Sequence, residues 1–127
     1  MTVVSTLDVH GLTRQEYRAV MDELGVETRP EGGIYLHLTT PIDLGFRVVE
    51  IWDEKQGFDR FVEQRLAPAG EAVGLQREMT IAVTPLHNLF APRLAELPTL
   101  VASLPGAPSA SAGSSRSATA KTTKADS

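Results

Sequence analysis

Four residues with chemistry to offer fall in a pattern of alternation. Tyr35 and His37 lie two apart in one strand-like stretch, and Glu50 and Trp52 lie two apart in the next. Alternate residues of a strand share a face, so pairing the two stretches sets all four on one surface. There His37 suits the role of general base, because imidazole as a side-chain type can exchange a proton near neutral pH. Glu50 can hold its imidazole, Tyr35 can hydrogen-bond a phenolic or carbonyl oxygen, and Trp52 can stack on a planar ligand, with Phe46 further along the same face. The same alternation also supports a purely structural reading. In that reading His37 and Glu50 satisfy each other at an interface and the aromatic residues are packing, because buried polar groups need partners whether or not they react. His87 and Asn88 are a second pair, placed after the last strand-like stretch. They suit the mouth of a cavity, or else Asn88 turns the chain and His87 bonds to backbone.

Other chemistries find no support. The three histidines, His10, His37 and His87, are far apart, and none has a second histidine or a carboxylate at i+2 or i+4, so no metal site is expected. With no cysteine, disulfides, thiolate nucleophiles and cysteine–zinc sites are excluded. Gly32-Gly33 precedes a strand pattern instead of a helix, which is the wrong context for a phosphate-binding loop. No G-x-S-x-G elbow is present.

The elements that must position these residues follow from periodicity. Thr2–Asp8 reads as a first strand. Thr13 and Glu16 have the spacing of a capping box, and Tyr17, Val20, Met21 and Leu24 form one apolar helix face that Gly25 ends. Ile34–Thr40 and Phe46–Trp52 read as strands joined by a hairpin-length connection. In the second of these, Phe46, Val48, Glu50 and Trp52 share a face. Asp53, with Gln56 three residues on, predicts the N-cap of a second helix, whose apolar face is Phe58, Phe61, Val62 and Leu66 and which Pro68 ends or kinks. Arg77–Thr84 is the fourth strand. The order β-α-β-β-α-β with right-handed crossovers predicts an α+β, ferredoxin-like fold on a four-stranded antiparallel sheet. Both helices are expected on one face. Phe46, Val48 and Trp52 are expected on the other, where a second copy of the chain would cover them and enclose a cavity.

Composition sets the boundaries. The chain of 127 residues is expected to hold one domain over residues 1–92, a short partly helical extension over 93–102, and a disordered tail over 103–127. The tail has 7 Ser, 6 Ala and 3 Thr among its 25 positions, too little apolar surface to offset the entropy of ordering. Residues 1–102 hold nine basic and fifteen acidic side chains, a net charge of −6 that argues against nucleic acid as a partner. There is no apolar run of membrane-spanning length and no signal-peptide pattern, so a cytoplasmic protein is expected.

The segment Arg47-Val48-Val49-Glu50-Ile51-Trp52-Asp53-Glu54-Lys55-Gln56-Gly57-Phe58, with Phe61 following, resembles the strand-then-helix stretch of dimeric α/β-barrel proteins, and among them the antibiotic-biosynthesis-monooxygenase-like branch. Pro85-Leu86-His87-Asn88-Leu89-Phe90 resembles a segment that follows the last strand in small members of that superfamily. The resemblance implies a homodimer with facing sheets, and a cofactor-free oxidation of an activated aromatic or phenolic substrate. Joined to the strand-face pattern, it makes His37, Tyr35 and His87 the candidate catalytic residues, with Trp52, Glu50, Phe46 and Asn88 as candidates for binding substrate. The chain departs from that pattern in having no Asn on its first strand and Phe61 where active relatives carry Trp. These departures favour the alternative of a non-catalytic homodimer that binds a hydrophobic metabolite or acts as an assembly module.

Overall fold

The computed structural model describes residues 1–108. The elements of the first compact unit, Met1–Leu89, are β1 (Val3–His10), α1 (Arg14–Leu24), β2 (Ile34–Ile42), β3 (Gly45–Trp52), α2 (Lys55–Phe61), a π-helical turn (Val62–Leu66), α3 (Ala67–Ala72) and β4 (Met79–Pro85). The strands form one antiparallel sheet in the order β2-β3-β1-β4. This is the expected ferredoxin-like arrangement. From Phe90 the chain forms a separate unit with a 3₁₀ turn (Leu94–Glu96) and α4 (Leu97–Ser103). Of the tail expected over 103–127, residues 109–127 lie outside the described residues.

Local chemistry accounts for the boundaries. Thr13 and Glu16 make the reciprocal capping box that starts α1, and Gly25 closes it at a φ of 68°. The β2–β3 hairpin closes on Asp43-Leu44 alone, with Ile42 opposite Gly45. Gly45 has a φ of 118°, and a Cβ there would sit 2.1 Å from the Val9 carbonyl oxygen, so no other residue fits. Pro41 is tolerated inside β2 because that strand is at the sheet edge. The second helix differs from expectation at both ends. Its N-cap is Glu54, which makes no side-chain cap bond, and not Asp53. Pro68 does not end it: the chain widens into the π turn and resumes as α3, with Pro68 in the first turn, where its missing N–H is harmless.

The sheet has two distinct faces. Val3, Ser5, Leu7 and Val9 of β1 are buried beneath the helices, and register places Trp52, Glu50, Val48 and Phe46 beside them. Trp52 is 1% exposed and packs on Phe58 and Phe61, with ring centroids 6.0 and 5.5 Å away. Phe46 stacks on Tyr17 of α1 at 6.1 Å. This corrects the expected placement: Phe46, Val48 and Trp52 lie on the helix-covered face, because three large apolar side chains find their burial against α1 and α2 within one chain. The open face carries Leu36, Leu38 and Val49 at one end, beside the buried Ile51, and the Asp8–Arg47 pair at the other.

Candidate functional site

A cavity of about 60 Å³ lies between the sheet and the helices. Its lining is mostly hydrocarbon, with Leu7, Val9, Val48, Phe58, Phe61 and Leu75 among the contributors. Polar atoms enter at one place, from Tyr17 on α1, His37 on β2 and Glu50 on β3.

These side chains form a continuous hydrogen-bonded chain. The Trp52 indole N–H donates to Glu50 Oε1 at 3.0 Å. Glu50 Oε2 lies 2.8 Å from His37 Nδ1. His37 Nε2 lies 3.0 Å from the Tyr17 hydroxyl and 3.0 Å from Thr39 Oγ1, and Thr39 donates to the Tyr17 oxygen at 3.0 Å. A carboxylate only accepts, so Nδ1 of His37 carries the hydrogen, and in the neutral form of the ring Nε2 is the acceptor. The carboxylate thus sets the tautomer and orients the ring, as the acid of a catalytic triad does.

Burial makes the chain tight. Glu50 is 10% and His37 27% exposed at the side chain, and Ser5, opposite Glu50 in the β1–β3 register, is buried. Desolvation of Tyr17 raises its pKa above that of free tyrosine, partly offset by the hydrogen bond from Thr39, so the residue is held as a phenol. Beside the Tyr17 ring, Arg18 donates to Glu27 at 2.7 Å, and desolvation still raises the Glu27 pKa.

The residues singled out from sequence divide clearly. His37, Glu50 and Trp52 come together as alternation predicts, and Phe46 stands behind Tyr17. Tyr35 does not join them. A β-bulge between Ile34 and Leu36 inserts Tyr35 as an extra residue, so it is 66% exposed at the sheet edge, and the Asp53 carboxylate beside its hydroxyl raises its pKa. His87 and Asn88 are exposed and do not line the cavity; Asn88 Oδ1 accepts from the Leu89 N–H. His10 hydrogen-bonds Thr80 at 2.8 Å on the open side. Sequence reasoning missed Tyr17 and Thr39. Thr39 was legible as the next residue on the His37 face, whereas Tyr17 reads as one more apolar position of α1. No group of three or more His, Asp or Glu among the described residues is arranged to hold a metal ion.

The architecture has clear counterparts among solved structures. A candidate antibiotic biosynthesis monooxygenase from Deinococcus radiodurans aligns at 17% identity, over 72% of this chain and 97% of that one, with a TM-score of 0.53. Another structure, described as an antibiotic biosynthesis monooxygenase, aligns at 14% identity over 69% and 100% of the two chains, with a TM-score of 0.50. The fold is that of the monooxygenase-like proteins. A Mycobacterium tuberculosis protein also aligns, at 16% identity over 70% and 99% of the chains, with a TM-score of 0.50. No family model and no curated protein matches the sequence. The expected resemblance therefore holds at the level of fold, and the chemistry must be argued from the cavity.

Proposed function

We propose that this protein binds a neutral aromatic or phenolic molecule in the helix-side cavity and oxidises it with dioxygen, using no added cofactor. The observation that carries this reading is the single polar wall, Glu50–His37–Tyr17, in an otherwise apolar cavity. Among the described residues no Lys or Arg lines the cavity, so a carboxylate or phosphate substrate would enter uncompensated there, whereas a weak C–H or O–H acid enters neutral. His37 takes the proton, and Glu50 stabilises the imidazolium. The electron-rich carbanion then reacts with dioxygen: a ring CH₂ becomes C=O, one oxygen atom is retained and the other leaves as water. A water-poor pocket strengthens each of these electrostatic terms. Of the residues first considered, His37 keeps the role of base, while Tyr35, His87 and Asn88 have none in this scheme.

Ordinary small-molecule sites begin at roughly 300 Å³, so even a single ring must displace part of the wall. The π turn at Val62–Leu66 is the place where the wall would give, because Leu66 lines the cavity and a π turn interrupts the regular helical ladder, as π turns at functional sites often do. The protein acts in the cytoplasm as a homodimer in which the apolar end of the open sheet face, with Leu36, Leu38 and Val49, meets its copy.

Oxygen uptake with an anthrone as the probe tests the reading. The expected result is one dioxygen consumed per molecule oxidised, with a rate loss of about 10²–10⁴ in His37→Ala. Unchanged turnover in that variant removes His37 as the base. The small cavity also favours a second reading, a non-catalytic dimer that holds a hydrophobic metabolite. Stoichiometric aromatic binding that quenches Trp52 fluorescence without product would establish it.

A further inference from the structure

The imidazole acceptor in this cavity is already covered. Neutral His37 has one lone pair, at Nε2, and two hydroxyls stand 3.0 Å from it, those of Tyr17 and Thr39. Thr39 spends its hydrogen on the Tyr17 oxygen, which leaves the Tyr17 hydrogen to fill the Nε2 lone pair. A bound molecule therefore cannot reach Nε2 without breaking this cluster. Tyr17 lines the cavity, and Thr39 does not.

Resting on the base chemistry proposed above, we infer that Tyr17 is a catalytic residue: its phenol oxygen meets the substrate proton and passes its own proton to His37 Nε2. In the step the substrate X–H bond breaks and leaves its electron pair on the substrate, while a new O–H bond forms at Tyr17. The original Tyr17 O–H bond breaks as an N–H bond forms at His37 Nε2. Tyr17 is unchanged in charge, the substrate is an anion, and His37 is an imidazolium against Glu50. Burial disfavours a free tyrosinate, so the two transfers are concerted. Afterwards the new Tyr17 O–H points at the substrate anion and donates to it, which is the stabilisation an oxyanion site supplies. Thr39 and Trp52 are positioning residues: Thr39 aims the phenol hydrogen, and Trp52 holds the carboxylate that sets the His37 tautomer.

The probe is 4-nitrophenol, which is yellow only as its anion, added to the full chain at a pH below its own pKa, with binding followed by calorimetry. The wild type is expected to turn the bound probe yellow. Tyr17→Phe keeps the ring that packs on Phe46 and is expected to bind the probe with loss of the colour. Colour retained in Tyr17→Phe but lost in His37→Gln means that His37 takes the proton directly, which overturns the relay and leaves the base reading standing. Colour retained in His37→Gln, or absent in the wild type, overturns both. Loss of binding in Tyr17→Phe makes the hydroxyl an anchor only and overturns the relay. A second measurement does not depend on that variant folding. Tyrosine is replaced throughout by a ring-fluorinated analogue in a Tyr35→Phe background, so that Tyr17 alone is labelled. Because Tyr17 ends the step as a phenol donating to the probe anion, the more acidic phenol strengthens that bond and is expected to lower the pH at which the bound probe colours, and no shift overturns the relay.

Discussion

On the open face of the sheet Arg47 grips Asp8 through two hydrogen bonds of 2.7 and 2.9 Å; on the helix-covered face His37 meets Glu50 through one of 2.8 Å. By geometry alone the open pair is the better made. Its Arg47 is 45% exposed, however, and water and salt screen what the two groups gain. The Glu50–His37 pair is part of a larger chain in which each further hydrogen bond constrains the next, and the apolar lining keeps solvent from competing. The difference teaches that depth and connectivity, more than bond length, decide which of two similar pairs is available for chemistry.

The comparison can be broken most severely at Trp52. Trp52→Ala removes the most buried large side chain and a donor to Glu50, and should cost about 4 kcal/mol in a urea titration. A loss near that of an exposed aromatic would show that the helix-side core is not the stabilising one. Glu50→Ala leaves the Trp52 and His37 N–H groups without their acceptor, at an expected cost of about 2–3 kcal/mol in the same titration. An equal effect from Asp8→Ala would erase the contrast between the two faces.

The remaining two tests depend on pH. Tyr17 has a raised pKa in the folded chain, so above pH 10.0 the unfolded chain releases a proton that the folded one keeps, and stability should fall as pH rises. Tyr17→Phe should flatten that alkaline limb in thermal scans, and an unchanged limb would assign it to other groups. Asp8 has a lowered pKa, chiefly from the Arg47 hydrogen bond, so its contribution is complete above 3.8 and disappears as pH falls through the lower folded value. Asp8→Asn should therefore lower the urea midpoint slightly at neutral pH and flatten the acid limb, and an acid limb unchanged in the variant would assign it to other carboxylates.

Much of this was readable in advance because local rules do not need the rest of the chain. Thr13 and Glu16 cap α1 by their own spacing, and the β-α-β-β-α-β order follows from periodicity. The meeting of His37 with Glu50 follows from strand alternation once the two strands pair. Tyr35 was misplaced because a single inserted residue reverses the parity of a strand, and nothing in the residue types around Ile34 marks the bulge.

The sequence by itself determined the elements, their order, and the alternation that sets Phe46, Val48, Glu50 and Trp52 on one side of β3. Only the tertiary structure decided which side that is. Alternation separates two faces without saying which of them the helices cover, and that choice falls to packing: Trp52 finds Phe58 and Phe61, and Phe46 finds Tyr17. The same packing carries the Tyr17 hydroxyl, an unremarkable helix position in the sequence, to within 3.0 Å of an imidazole twenty residues away.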